Sequence, residues 1–251
     1  LPGDDGMLRQ RLWKVRAKQV ILATGAIERS LVFAENDRPG IMLAGAARTY
    51  VNRYGVAPGS RTVVFTNNDS AYAAALDMAA AGVGVEAVVD LRNQVEGDWP
   101  RLAREAGIPV MQGHTITGTR GRHRVSAVSV MRLNDAGDGV AGDVRQLKCD
   151  SVAMSGGWSP AVHLFSQARG ALTFDEQEGT FRPGEAMQAV RSVGACDDAA
   201  RLADCLSAGV EAGRSAALDV GCDGAQIAAP AVGEPALGPM QPAWRAPSDR
   251  K

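Results

Sequence analysis

Apolar and polar residues alternate from Arg11 to Lys18, the period-two pattern of an exposed strand. They then merge into the run Val20-Ile21-Leu22-Ala23, as a buried parallel strand requires, and the run stops at Thr24-Gly25. Turn chemistry fills Glu35-Asn36-Asp37-Arg38-Pro39-Gly40, and a helix is predicted from Ala44 to Tyr54, closed by Gly55. After Pro58-Gly59, Thr62-Val63-Val64-Phe65 predicts a second buried strand. Ser70 to Ala81 predicts an alanine-rich helix ended by Gly82, and Val83 to Asp90 a third strand. That strand–helix–strand unit has the length of a parallel crossover. Further along, Arg101–Gly107 reads as a helix and Ile108-Pro109-Val110 as the start of a strand. The alternation at 125–131, within 114–134, reads as an antiparallel hairpin, with a turn at 134–139. Next come a strand over Leu147–Met154, a loop at Ser155–Pro160, a helical stretch over Ala161–Gln167 and an irregular region. The last strand is Val190–Gly194 and the last long helix runs from Asp197 to Leu218. Residues 223–251, rich in Pro, Gly and Ala, read as an extended tail or linker.

Strands alternating with helices place the chain in the α/β class. Its 251 residues suffice for one large or two small domains. A formal net charge of −1 supplies no bulk attraction to nucleic acid or to an anionic membrane, and neither partner is expected. No apolar run approaches the ~20 residues of a membrane span. Leu1-Pro2-Gly3-Asp4-Asp5-Gly6 has the pattern of neither a signal nor a transit peptide, and no Met opens the chain, so an internal piece of a longer protein is expected. Cys149, Cys196, Cys205 and Cys222 form no Cys-x-x-Cys pair, and His114, His123 and His163 are scattered. That arithmetic argues against zinc or an iron–sulfur cluster and for a reducing, cytoplasmic setting.

Parallel sheets bind ligands at the carboxyl ends of their strands. The first such end, Ala23-Thr24-Gly25, is small and tight enough for a backbone to run close to a nucleotide. The second, Thr66-Asn67-Asn68-Asp69-Ser70-Ala71, stands where a G-x-G-x-x-G/A phosphate loop would. Thr66 replaces the first glycine and Asn68 the second, while Ala71 keeps the close helix–strand packing of the third. Asp90, ending the next strand, is placed to bond a ribose hydroxyl, or the neighbouring Arg92 a ribose phosphate. With the glycine roles largely lost, a vacant loop is the favoured reading. The third end, Gly194-Ala195-Cys196, leads toward the last helix, whose N-terminus would stabilise a diphosphate; Asp197 or Asp198 would equally serve as helix caps. Arg120, Arg122, His123 and Arg124 read as a solvated turn, Trp158 as a packing aromatic, and no catalytic residue is assigned.

Four stretches together carry a resemblance: Val20-Ile21-Leu22-Ala23-Thr24-Gly25-Ala26-Ile27-Glu28-Arg29, Asn36-Asp37-Arg38-Pro39-Gly40-Ile41-Met42-Leu43-Ala44, Phe65-Thr66-Asn67-Asn68-Asp69-Ser70-Ala71-Tyr72 and Ser155-Gly156-Gly157-Trp158-Ser159-Pro160. The chain resembles the pyridine nucleotide-disulfide oxidoreductase superfamily and, within it, the alpha-subunit family of heterotetrameric sarcosine oxidase. The resemblance implies three-layer, Rossmann-like dinucleotide-binding folds, a first, incomplete one with a second inserted in it, followed by a folate-binding domain. It assigns residues 1–58 and 150–220 to the remnant of the first fold, 59–149 to the inserted pyridine-nucleotide-type fold, and 221–251 to a linker toward the folate domain. It implies NAD in the alpha subunit, FAD and FMN with a partner beta subunit, further small subunits, and a small-molecule amine and folate as ligands. Sarcosine would give glycine, hydrogen peroxide and formaldehyde, or methylene-tetrahydrofolate when tetrahydrofolate is present as acceptor. The nucleotide is expected against Ala23-Thr24-Gly25 and Gly194-Ala195-Cys196, although Ala195 stands where the superfamily has an aspartate. The chain alone is expected to be inactive. The alternatives are the alpha subunit of an opine- or proline-type dehydrogenase and a non-catalytic scaffold module with a vacant nucleotide fold.

Overall fold

The computed structural model describes residues 10–248. Leu1–Gly6, read above as neither signal nor transit peptide, and positions 249–251 of the predicted tail lie outside the described residues.

The centre is a five-stranded, wholly parallel sheet. Its strands are β3 (Ile41–Leu43), β4 (Arg61–Thr66), β5 (Gly84–Asp90), β6 (Val110–Gln112) and β10 (Ser151–Ser155), in the order β3-β10-β4-β5-β6. Alternate residues of the buried runs face opposite layers, as strand geometry dictates. Val64, Val88 and Ala153 point to the helices α1 (Ala44–Tyr54), α2 (Ser70–Ala80) and α3 (Asp98–Glu105), packing on Ala47, Ala71, Tyr72, Ala75 and Met78. Val63, Phe65, Val89 and Val152 point the other way. They meet Ile116, Val128, Val130 and Leu147 of an antiparallel sheet made of β7 (His114–Arg120), β8 (Ala127–Leu133) and β9 (Val140–Lys148). The small side chains of α2 let it lie close to the sheet, and Gly55, at φ +62° with its N–H bonded to Val51 O and its neighbour's to Tyr50 O, ends α1 as predicted.

Around this body sit six shorter strands and two helices: β1 (Val20–Leu22), β2 (Ala26–Glu28), β11 (Trp158–Pro160), α4 (His163–Gln167), β12 (Leu172–Asp175), β13 (Thr180–Pro183), β14 (Val190–Ser192) and α5 (Leu202–Asp219). β1 pairs with β14 in parallel, while β2 with β11 and β12 with β13 are antiparallel.

Several expectations change. Residues 11–18 form no strand and are exposed, since among the described residues no strand lies beside them to accept a ladder. The predicted strand Leu147–Met154 is two strands, broken at Cys149-Asp150, and the irregular region holds the hairpin β12–β13. The last helix starts at Leu202, not Asp197. A 3-10 turn over Gly194–Asp197 precedes it, and Asp198 at φ +66° then turns the chain away, so neither Asp197 nor Asp198 caps α5. The sheet pairing also crosses the predicted boundaries at 58 and 150, since β3 and β10 join the sheet of the inserted segment.

Asp150 fixes the side-by-side start of β10 and β4. Its carboxylate accepts the Ser60 N–H at 2.9 Å, the Ser60 hydroxyl at 2.6 Å and the Arg61 N–H at 2.9 Å. Burial works against the charge, but these bonds and the Arg124 cation outweigh it and hold the pKa below the ordinary carboxylate value. A depressed folded pKa means stability that is present above the unfolded pKa of ~3.9 and lost as pH falls through the folded value. Asp150→Asn should therefore cost about 2 kcal/mol at pH 7, and the gap to wild type in urea melts should narrow at pH 3. An equal gap at both pH values would refute the role of the charge.

Candidate functional site

The five parallel strands end along one edge: Ser155, Thr66, Asp90 and Gln112 are neighbours in register, and Leu43 pairs with Met154 one residue before Ser155. The second group of strand ends comes from β1 and β14, whose pairing Leu22↔Ser192 sets Ala23-Thr24-Gly25 beside Gly194-Ala195-Cys196. A cleft of about 540 Å³ lies between the groups, with Asn68, Ser70, Trp158, Glu178, Ala195 and Met240 in its wall.

The β1/β14 end is open. Gly25 has φ +72° and Gly194 φ +74°, backbone that favours glycine, and a Cβ built on Gly25 would meet nothing within 4 Å. Thr24 is exposed, and its hydroxyl donates to Ala161 O at 2.7 Å, while Ala161 N–H returns a bond to Gly25 O at 2.9 Å. Val193 N–H and the buried Cys196 thiol both donate to Leu22 O, at 2.9 and 3.2 Å. These bonds hold the turn while leaving the face at Ala23 and Thr24 clear.

The β4/β5 end is filled. Thr66 is buried and its hydroxyl donates to Asn68 O at 2.9 Å. The Asn68 amide donates to Ser155 Oγ at 3.2 Å and to Asn67 Oδ1 at 2.9 Å, and its Oδ1 accepts Ser70 N–H at 3.0 Å, at the start of α2. The second-glycine position thus carries a side chain in the space a pyrophosphate would use. Asp90, expected on a ribose, is wholly buried with both carboxylate oxygens engaged. Tyr72 donates to one at 2.8 Å, and Arg92 bonds both, through Nε at 3.0 Å and Nη2 at 2.8 Å. Arg92 Nη2 also reaches Asp69 Oδ1 at 2.7 Å. Burial disfavours the Arg92 cation, but the two carboxylates more than offset this and raise its pKa. Burial and the Asp90 charge together push Tyr72 upward, so its proton stays on as a donor.

Sequence reasoning missed Glu28. From the end of β2 its carboxylate accepts Gly45 N–H at 2.8 Å, in the first turn of α1, where the helix dipole favours a negative charge. Burial nevertheless raises its pKa, against the pull of the Gly45 and Ser155 bonds. Trp158, expected as packing, is 41% exposed and donates to Ser70 Oγ at 2.9 Å across the cleft. The basic turn at 120–124 is exposed as expected, but Arg124 is structural, bonding Asp150 O at 2.7 Å and Pro58 O at 2.6 Å. Among the described residues no cluster of potential ligands could hold a metal, no disulfide forms, and no helix is long and apolar enough to cross a membrane. Burial, with Asp150 nearby, pushes the Cys149 thiol up to about 12, so it is inert at neutral pH.

A parallel sheet with helices on one face and an antiparallel sheet on the other, together with a second parallel strand pair, makes a Rossmann-like α/β architecture. The fold is shared with L-proline dehydrogenase from P. horikoshii (TM-score 0.59, 21% identity, 84% of this chain and 36% of that one). It is shared also with T. acidophilum thioredoxin reductase (TM-score 0.60, 18% identity, 81% and 65%).

In sequence, the chain is homologous to one stretch of sarcosine oxidase alpha subunits. It is 41% identical over 249 residues to the subunit of Corynebacterium sp. (strain P-1) and 39% over 249 residues to that of strain U-96, covering 98% of this chain and 25% of each relative. The subunit of Rhizobium meliloti (strain 1021) is 36% identical over 215 residues, 84% of this chain and 20% of that protein. The chain thus spans about a quarter of the length of these relatives. No family model matches it.

Proposed function

We propose that the chain is the nucleotide-facing portion of the alpha subunit of an amine-oxidising flavoprotein complex of the sarcosine oxidase type. The reaction would be oxidative demethylation of sarcosine by oxygen to glycine and hydrogen peroxide, the one-carbon unit leaving as formaldehyde or, when tetrahydrofolate is present as acceptor, as methylene-tetrahydrofolate. The observation that carries this reading is the identity of 41% extending over 98% of the chain. A beta subunit and smaller subunits would complete the complex, FAD and FMN would sit with the beta subunit, and the chain itself would contribute no catalytic residue. The division into a first fold (1–58 and 150–220) and an inserted one (59–149) goes forward with one adjustment. The strand pairing draws Ile41–Leu43 and Ser151–Ser155 into the inserted body.

NAD is assigned to the β1/β14 end. The open glycine turns at Gly25 and Gly194 let the backbone of Ala23-Thr24-Gly25 and Gly194-Ala195-Cys196 approach a nucleotide. The β4/β5 end does not fit one: Asn68 fills the approach, Asp69 puts a carboxylate at the start of α2, and Asp90 has no lone pair turned outward. The inserted fold is thereby read as a scaffold. Calorimetric titration of the assembled complex with NAD, with FAD as control, tests the assignment. Gly25→Val should weaken NAD binding at least about tenfold, a 1.4 kcal/mol change, and Asn68→Ala should leave it unchanged. The reverse pattern would place the nucleotide at Thr66–Ala71 and overturn the reading.

A further inference from the structure

Residues 223–248 form no helix or strand, yet the part from 237 onward is not a free tail. It runs across the filled β4/β5 end and is held by its backbone. Gly238 N–H donates to Asp69 Oδ2 at 2.6 Å, and Arg92 Nη1 donates to Pro239 O at 2.8 Å. Gln241 is gripped twice by Asn67: its N–H donates to Asn67 O at 3.1 Å, and its carbonyl accepts from Asn67 Nδ2 at 2.7 Å. Beyond it, Trp244 O accepts Val32 N–H at 3.0 Å, Ala246 N–H donates to Val32 O at 2.8 Å, and Ala246 is buried in the core under the sheet. The Arg29 guanidinium stacks on the Trp244 ring at 4.9 Å.

We infer that the carboxyl-end crevice of the five-stranded sheet is a docking site for an extended, proline-rich peptide, with residues 237–247 as its ligand in cis. The chemistry is the inverse of a phosphate loop. Where a dinucleotide fold offers N–H groups to an anion, this one offers the Asp69 carboxylate to an N–H, and turns one arm of the carboxylate-paired Arg92, its Nη1, to a carbonyl. The ligand's composition matches. Pro239 and Pro242 have no N–H to satisfy, and each proline fixes its own φ, so little conformational entropy is lost on docking. The crevice's own polar side chains, Asn67, Asp69 and Arg92, read only main-chain groups of the segment, on Gly238, Pro239 and Gln241, and recognition through main-chain bonds is how extended segments are commonly bound. The inference stands whether or not NAD occupies the β1/β14 end.

Amide hydrogen exchange on the full chain tests it. Gly238 and Gln241 should exchange about a hundredfold or more slowly than Gly233, which lies outside the docked stretch. Docking in trans is the second measurement. A chain ending at Gly224 should bind a synthetic peptide of residues 234–248 with one-to-one stoichiometry. The Gly238→Pro peptide, lacking the N–H read by Asp69, should bind at least about tenfold more weakly, and NAD should not displace either. Exchange at Gly238 and Gln241 as fast as at Gly233 overturns the proposal, as does equal binding of the two peptides or displacement by NAD. Should the shortened chain fail to fold, the exchange rates of the full chain decide alone.

Discussion

Arg92→Met should destabilise the protein by about 3–5 kcal/mol, because one partner of a buried charge network is removed and the others remain. Arg92 is the only cation bonded to the buried carboxylates of Asp69 and Asp90 among the described residues, and its third arm holds Pro239 O. Methionine fills a similar volume, so the expected loss is electrostatic and not a cavity. At 2–4 °C per kcal/mol for a chain of this size, the melting temperature should fall by roughly 6–20 °C. The discriminating control is the triple variant Arg92→Met/Asp69→Asn/Asp90→Asn. It leaves no uncompensated charge, and should recover more than half of the loss. If the single variant melts within about 2 °C of wild type, the network is not what holds this edge of the sheet.

Arg29→Ala should cost about 3 kcal/mol, and Arg29→Lys most of that. The guanidinium joins three parts of the chain that are far apart in sequence. Nε donates to Gly156 O at 3.1 Å, Nη1 to Glu178 O at 3.0 Å and Gly179 O at 2.9 Å, and Nη2 to Met240 Sδ at 3.2 Å. Its flat face carries the Trp244 ring. Burial draws its pKa below the usual arginine value, against the opposing Glu178 charge. A lysine ammonium is a point donor. It cannot serve carbonyls of two segments in one plane, nor stack as the fork does. Chemical denaturation of the three proteins gives the ranking, and a Lys variant as stable as wild type would show that charge alone suffices.

The chain declared its core plainly. Val63-Val64-Phe65 and Val88-Val89 read as buried strands because both faces of the parallel sheet are covered, and the runs show no alternation. Ser70–Ala80 read as a helix because alanine dominates it, and Gly55 and Gly82 stop their helices at positive φ. The strand β9 hid because all but one of its residues after Val140 are exposed, and Gly142 and Asp143 look like a turn. The hairpin β12–β13 hid for a similar reason, with its Phe174–Phe181 pair half-exposed. At the site, the loss of glycines at Thr66 and Asn68 was visible. The occupation of the crevice was not: backbone bonds to Gly238, Pro239 and Gln241 leave no periodic signal in side chains. Glu28 was equally silent, since nothing in a local pattern says that a carboxylate meets a helix start 17 positions later.

The strand β1 has a practical consequence. Among the described residues it has one partner, β14, and leaves Val20 at 42% and Ile21 at 39% exposure beside the other backbone edge. A short apolar edge without charge or proline is a template for another strand. With a formal net charge of only −1, little long-range repulsion keeps two molecules apart. Ile21→Lys, which puts a charge on that edge, is therefore expected to make the purified polypeptide easier to concentrate.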